Sequence, residues 1–410
     1  MHVILSVLGT DGDVFPFVGV GLKLRDHGHR ITLVAGEPYR GLAERHGLGF
    51  EPLITAEESA AWLGHPDFWH PIKTAPLSAR WAVRLIERQY QLLARLAAGS
   101  PSVLVTQPAI FAATLVHEKH SVPLVHLLLQ PGLIPSVEAP PVMPAFPLPG
   151  WAPRPVGRLF WRSLDLVADL LVGRHLNRIR GALGLKPVKR IFQEWWARLV
   201  LGLFPSWYGP PQSDWPAQIQ LLGFPAFEGG VAGELSDDLA AFCAAGPAPI
   251  AFTLGTGMSH GAREFRAALE ACALLGARGI FLTRHPAQLP EPLPPFARSC
   301  SFAPFTRLFP RCAAVFHHGG VGTTARALAA GTPQLILPLA FDQMDNAARV
   351  RRLGAGLELR SRTARPAEIA RALVQITSPA TQARCRQIAG RFDGKDVLAE
   401  AAQRVEEAVR

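Results

Sequence analysis

The chain has 410 residues, 49% of them hydrophobic and 18% charged, with a formal net charge of +10. That length and apolar content exclude a disordered chain or one small core, and suit two domains. The basic balance is compatible with nucleic acid, an anionic membrane face or phosphorylated substrates, but the arginines are scattered and no RNP, zinc-finger or helix-turn-helix pattern occurs, so nucleic acid is not expected and a solvated arginine-rich surface is the plainest account.

In chain order, His2–Leu8 reads as a buried parallel strand. It begins within two residues of the first methionine, without a basic n-region or small-residue cleavage site, so no signal peptide is expected. A polar turn follows, Gly9-Thr10-Asp11-Gly12-Asp13, then a helix through Arg25 and a second strand, Arg30–Ala35. This βαβ unit is a Rossmann-like opening, and its first turn falls at the carboxyl edge, where such sheets place ligands. A carboxylate partly desolvated there could have the raised pKa that deprotonating a hydroxyl needs. Asp13 is the candidate general base and Asp11 its competitor; the plainer role for Asp13 is to cap the helix.

Residues 60–76, rich in aromatics and proline, read as a packed irregular loop. Leu77–Ala98 reads as an amphipathic helix, Val103–Thr106 as a strand, Phe111–Lys119 as a helix and Val122–Leu129 as a strand. Gln130–Arg154 is too dense in proline for regular structure and too apolar for a solvated linker, which suggests a lid or wall. Helix resumes over Trp151–Gly184. The proline- and tryptophan-rich stretch 206–216 is the expected linker between a domain over 1–205 and a domain over 217–390, with 391–410 as a final helical segment. Leu221–Phe224 and Pro249–Leu254 are expected strands of the second domain, Gly255-Thr256-Gly257 a turn, and Ser301–Phe305 a short strand. All five cysteines lie in the second half with no CxxC pair, which argues against a disulfide framework or zinc site and for a reducing compartment. Charged or proline residues interrupt every long apolar stretch, so no membrane span is expected.

The most informative stretch is VFHHGGVGTTARALAAGTPQLILPLAFDQMDN, Val315 to Asn346. Val315 and Phe316 end an apolar run; Gly319, Gly320 and Gly322 let backbone approach a ligand; Thr323 and Thr324 open a helix with Ala325, Leu328 and Ala329 on its buried face. A strand, a glycine turn and a helix N-terminus together suit a phosphate or diphosphate. No lysine follows as in a P-loop, and the spacing is not GxGxxG. Gln334–Leu339 reads as the next strand, with Asp342, Gln343 and Asn346 at its carboxyl end, where polar side chains could hold sugar hydroxyls. The alternative is that the glycines only tighten a turn and the histidines are core residues.

This stretch resembles the donor-binding signature of the family 1 nucleotide-sugar glycosyltransferases, approximately HHGGxGTxxxxLxxGxPxxxxPxxxDQxxNA. The matching residues are His317, His318, Gly319, Gly320, Gly322, Thr323, Leu328, Gly331, Pro333, Pro338, Asp342, Gln343, Asn346 and Ala347. The opening GTDGDVFP segment resembles the GTxGDVxP start of the family's glycolipid, sterol and antibiotic branches. LFPSWYGPPQSDWP and ARGIFLT resemble its rhamnolipid-forming rhamnosyltransferases.

The resemblance implies an α/β fold of the GT-B kind: two facing Rossmann-like domains with parallel sheets and a C-terminal helix crossing back to the first. It implies Asp13 as base and His317 as the diphosphate contact that helps the leaving group. Gly12, Thr256, Phe302, Ala303, Gly319, Gly320, Gly322, Thr323, Asp342 and Gln343 would line the donor, with Phe302 stacking on the base; Phe302 reads equally as core and Thr256 as a plain loop residue. Because variable loops of the first domain line the acceptor in this family, Phe15, Trp62, Phe68, Trp69, Gln130, Met143 and Phe146 are acceptor candidates. The implied reaction is inverting and metal-independent, with no cofactor: a hexosyl group, rhamnose or glucose, moves from a dTDP- or UDP-sugar co-substrate to a hydroxyl of a lipophilic acceptor such as a 3-hydroxyacyl ester. Flavonoid, macrolide or sterol-like aglycones are the alternative acceptors, and a non-catalytic nucleotide-sugar-binding subunit is the alternative role. A cytoplasmic location is expected, with peripheral contact at the inner membrane left open, and the oligomeric state is not indicated.

Overall fold

The computed structural model describes residues 1–149, 151–194, 196–230, 233–359 and 365–409. The chain forms two units, Met1–Gly229 together with the segment from Asp396 onward, and Gly230–Lys395.

The first unit is built on a seven-stranded sheet. In chain order its strands are β1 (His2–Ser6), β2 (Arg30–Gly36), β3 (Gly49–Ile54), β4 (Ser102–Thr106), β5 (Leu124–Leu128), β6 (Leu199–Gly202) and β7 (Ile219–Leu221). They lie in the order β3-β2-β1-β4-β5-β6-β7, every pair parallel. β1, β4 and β5 are buried at every position, which is why they read as unbroken apolar runs. The helix Asp11–Asp26 follows β1, and the last helix, Val397–Glu407, lies against it. Gly19 makes that approach possible, since a Cβ there would come within 2.9 Å of Leu398. Lys23 pairs with Asp396 at 2.7 Å, and Glu406 accepts from His27 and His29 at 2.9 and 2.8 Å.

β7 corrects the expected domain boundary. Residues 206–216 are no linker, because the chain beyond them adds a strand to the first sheet, and the strand expected at Leu221–Phe224 belongs to that sheet and not to the second. The physical reason is packing: Trp215 meets Phe204 edge-on at 6.4 Å, Tyr208 is buried and meets Phe224 at 5.0 Å, and Trp207 meets Phe224 at 6.1 Å. Phe204 and Tyr208 are core, and the half-buried Trp207, Trp215 and Phe224 pack against them, so the stretch is packed rather than a hinge.

The second unit carries β8 (Ile250–Thr253), β9 (Gly279–Leu282), β10 (Ala297–Cys300), β11 (Ala314–His317), β12 (Gln334–Ile336) and β13 (Gly356–Glu358), in the order β10-β9-β8-β11-β12-β13. All pairs are parallel. Its centre is aromatic, with Phe252 stacked on Phe281 at 4.7 Å and tilted against Phe316 at 5.6 Å. The strand expected at Ser301–Phe305 is instead the loop after β10 and the start of a short helix, Phe305–Leu308, as the proline at 304 favours.

Both sheets thus share one arrangement. Chain order runs outward in one direction to β3 or β10 and then jumps back across the starting strand, so the turns after β1 and β4 flank a switch point in the first sheet. Those after β8 and β11 flank one in the second. Ligands of open parallel sheets bind outside the carboxyl ends at such points.

Candidate active site

At the switch point of the first unit stands Asp13, in the first turn of the helix Asp11–Asp26. Its Oδ2 accepts the Thr10 N–H at 2.9 Å and the Thr10 hydroxyl at 3.3 Å, a reciprocal capping arrangement at the helix start. Among the described residues its Oδ1 accepts only the side-chain amide of Gln107, at 3.3 Å. Burial pushes the Asp13 carboxyl up to about 6, against the hydrogen bonds from Thr10 and Gln107, and the neighbouring Asp11 adds to the rise. Capping and proton abstraction are therefore compatible, because they use different oxygens. Asp11 is buried and accepts the Tyr39 hydroxyl at 3.1 Å. Gly9 makes room for this arrangement: its φ of +143° is a glycine conformation, and a Cβ there would collide with Oδ2 of Asp13.

Gln107 is the residue that sequence reasoning missed. It directly follows β4, and its carbonyl oxygen accepts the Leu8 N–H at 3.1 Å, which obliges its NH2 group to face Asp13. The available signal was a polar residue at the carboxyl end of the strand that a Rossmann order puts beside β1.

At the switch point of the second unit the two histidines separate in role. His317, the last residue of β11, is fully buried; its Nδ1 accepts the Gly319 N–H at 3.1 Å and its Nε2 faces the Gln334 carbonyl oxygen at 2.9 Å. Burial, helped by the adjacent His318 and opposed by the Gln334 bond, pushes its pKa down to about 3. A neutral ring with both nitrogens committed inward has no N–H left for a phosphate. The expectation that His317 donates to the diphosphate is corrected accordingly: His317 holds the turn. The His318 ring lies instead between the two switch-point turns. A Cβ on Gly255 would come within 2.7 Å of its Cε1, and one on Gly320 within 2.6 Å of its Nε2. Burial drives His318 down to about 4, so this imidazole is neutral at physiological pH.

The helix Val321–Ala329 starts at this turn with Gly320 at its N-cap, so among the described residues no cap side chain takes its first N–H groups, which can face a ligand. Gly320 is half-buried, Gly322 is exposed with open space beside it, and Thr323 is buried in the first turn. Thr256 is exposed in the turn after β8. Phe302, 37% exposed in the loop after β10, presents a ring for stacking, whereas Ala303 is buried.

After β12, Phe341 holds a φ of +57°, an uncommon conformation for an aromatic residue and a local strain. Asp342 follows, half-buried, and accepts the Asn346 amide, which also donates to the Gly319 carbonyl at 2.9 Å and so ties this turn to the glycine turn. The Gln343 side-chain oxygen accepts the N–H groups of Leu339 and Ala340 at 2.8 and 3.0 Å, so that part of Gln343 serves the backbone rather than a sugar.

The acceptor candidates divide. Gln130 follows β5 at the carboxyl edge, half-buried; Met143 is half-buried and Phe146 exposed in the proline-rich loop. Phe68 and Trp69 are buried, packed edge-on to each other at 5.1 Å, and Trp62 meets Phe68 at 5.4 Å and Trp81 at 6.2 Å. This cluster is packing, which corrects the assignment of Phe68 and Trp69 to a pocket wall. Phe15 packs edge-on to Phe227 at 6.1 Å and close to Gly229. Among the described residues no group of three or more His, Cys, Asp and Glu side chains is placed to hold a metal, and no helix is long and apolar enough to cross a membrane.

Residues 3–131 match the glycosyltransferase family 28 N-terminal domain, and residues 280–408 match the C-terminal domain of the erythromycin biosynthesis protein CIII-like group. The chain is 30% identical to a vancomycin aglycone glucosyltransferase of Amycolatopsis orientalis, over 97% of this chain and 96% of that one. It is 28% identical to an O-mycaminosyltylonolide 6-deoxyallosyltransferase of Streptomyces fradiae, over 95% and 93%. Among solved structures it resembles a glycosyltransferase of kitacinnamycin, with a TM-score of 0.77 at 16% identity over 100% and 99% of the two chains. It also resembles a spinosyn rhamnosyltransferase in complex with thymidine diphosphate, with a TM-score of 0.68 at 19% identity over 99% and 100%.

Proposed function

This chain belongs to the family 1 glycosyltransferases of the GT-B fold, and from that premise we propose that it transfers a hexosyl group from a dTDP-sugar to a hydroxyl of an apolar natural-product aglycone, with inversion and without a metal. The observation that carries the reading is the Asp13 carboxyl. It stands at the switch point of the first sheet with a pKa raised to about 6, one oxygen fixed by Thr10 and the other accepting the Gln107 amide.

In this reading the acceptor hydroxyl gives its proton to Oδ1 of Asp13 as its oxygen attacks the anomeric carbon, and the nucleoside diphosphate leaves with the electron pair of the broken bond. A carboxylate with a pKa near the working pH is mostly ionised yet basic enough to take the proton. The diphosphate is held by the N–H groups opening the helix Val321–Ala329 and by neutral His318, which can donate without a counter-charge being buried. Phe302 offers its ring to the base and Asp342 its carboxylate to the sugar hydroxyls. The aglycone acceptor and the deoxythymidine donor are favoured over a hydroxyacyl ester and a UDP-sugar by the relatives, one acting on a glycopeptide aglycone and one seen with thymidine diphosphate.

The test is a matrix of dTDP-glucose, dTDP-rhamnose and UDP-glucose against a glycopeptide aglycone, a macrolide aglycone, a flavonol and a 3-hydroxyacyl ester, with products read by mass spectrometry and anomeric configuration by NMR. Glycosides of an aglycone from a dTDP donor are expected. Product on the hydroxyacyl ester alone, or only from UDP-glucose, would overturn the acceptor or the donor assignment respectively.

A further inference from the structure

Outside the sites above, the helix Arg154–Ala168 and the π-turn Asp169–Gly173 after it carry an inverted pattern. A helix on a globular domain ordinarily buries its apolar stripe. Here Val156, Leu159, Leu166, Val167, Leu170 and Leu171 are each 44–65% exposed. At 3.6 residues per turn the first five fall within an arc of roughly 100°. The opposite face is the anchored one: Gly157 lies against Val137 and Leu148, the Trp161 indole donates to the Ser136 carbonyl at 2.9 Å, and buried Asp165 accepts the Phe192 N–H at 3.2 Å and the Gln193 amide at 3.1 Å. The helix is thus attached through small and polar contacts and turns its apolar face outward.

Charge narrows what covers that face. The acids of the segment point inward, since Asp169, like Asp165, accepts backbone N–H groups, of Arg190 and Ile191 at 3.1 and 3.2 Å. Arg158, Arg162 and Arg174 are exposed and make no ion pair among the described residues. Trp151, 84% exposed, stands just before the helix. An apolar stripe bordered by unpaired arginines with an exposed tryptophan at one end matches an interfacial helix, in which the apolar face enters the acyl boundary and the guanidinium groups reach headgroup phosphates. A second copy of the chain fits less well, because a two-fold contact through this face would set arginines against arginines.

We propose that the face of residues 156–171 docks onto an anionic lipid surface. The chain's net charge of +10 adds long-range attraction to such a surface. The inference does not depend on the donor or the aglycone.

The test is flotation of the full chain with vesicles of equal parts phosphatidylglycerol and phosphatidylcholine, and with vesicles of phosphatidylcholine alone, at low and high salt. The wild type is expected to float with the anionic vesicles, weakly with the neutral ones, and less at high salt. The triple variant Leu159→Glu, Leu166→Glu, Leu170→Glu should lose partitioning by about tenfold or more, and Arg158→Ala with Arg162→Ala should lose chiefly the preference for anionic vesicles. All these positions are exposed, so melting temperature is expected to stay unchanged and serves as the control for folding. A wild type that stays with the soluble fraction, or a triple variant that floats equally well, would overturn the proposal. So would sedimentation showing a dimer that the triple variant abolishes while neither form takes up vesicles.

Discussion

The side-chain amide of Gln107 donates to Oδ1 of Asp13 at 3.3 Å while its own carbonyl oxygen accepts the Leu8 N–H at 3.1 Å. The second bond fixes the direction of the first, so the carboxylate oxygen not used in capping always meets a donor. Gln107 is a positioning residue: it aims Oδ1 and steadies its charge. Replacing it by alanine removes a bond to the ionised form and should raise the Asp13 pKa further. The acid limb of kcat/KM should move to higher pH, with kcat above that limb falling by only about tenfold or less. Gln107→Glu keeps the shape but places a like charge beside Asp13, so it should move the limb further still. A purely structural role would lower activity at every pH alike and leave the limb where it is.

Gly9 supplies the space for Asp13. Gly9→Ala adds a Cβ at a φ of +143° and drives it against Oδ2 of Asp13. The expected result is a loss of kcat of about tenfold or more, together with a lower melting temperature, since the backbone conformation alone costs on the order of 1–3 kcal/mol. Thermal melts and steady-state kinetics on the same preparation check both.

The two adjacent histidines should behave differently. His318→Ala is expected to weaken binding of dTDP by roughly ten- to a hundredfold, read by isothermal titration, because a charge-assisted hydrogen bond contributes roughly 1.5–3 kcal/mol. His317→Ala should act mainly on stability, leaving the Gly319 N–H and the Gln334 side chain buried without their partner, with a melting temperature that falls well before dTDP affinity does. Equal losses of affinity for both, at unchanged stability, would return His317 to the ligand.

The raised pKa of Asp13 carries a stability cost with a definite pH window. Its folded value of about 6 lies above the unfolded 3.8, so the folded state binds the extra proton between those values and stability falls as pH rises through them. A shift of that size corresponds to roughly 3 kcal/mol as an upper figure at neutral pH. Asp13→Asn should therefore be at least as stable as the wild type at pH 7 and lose that advantage near pH 4, as measured by denaturant unfolding at the two pH values.

Much of this was legible before any coordinates, and the reasons are local. β1, β4, β5 and β11 announce themselves because a parallel strand buried on both faces is a continuous apolar run, and the turns after β1 and β11 because glycine breaks those runs abruptly. What stayed hidden depends on contacts between distant residues. Composition alone reads the tryptophans and prolines of 206–216 as a hinge, whereas Phe204 and Phe224 pack the tryptophans against the first unit and β7 continues the first sheet. Sequence places His317 and His318 side by side, but neighbours at a strand end point to opposite sides, and only Gln334 on one side and Gly255 on the other tell them apart. Gln107 is 94 residues from Asp13, and nothing but strand order brings them together.

The most direct measurement is the pH dependence of kcat/KM for wild type and Asp13→Asn with a dTDP-sugar and an accepted aglycone. Wild type should show an acid limb near pH 6, and the variant should lose that limb together with a factor of about 10²–10⁴ in kcat while still binding dTDP with wild-type affinity. A variant that keeps kcat within about twofold of wild type, or keeps the same acid limb, would contradict the assignment of Asp13 as the base.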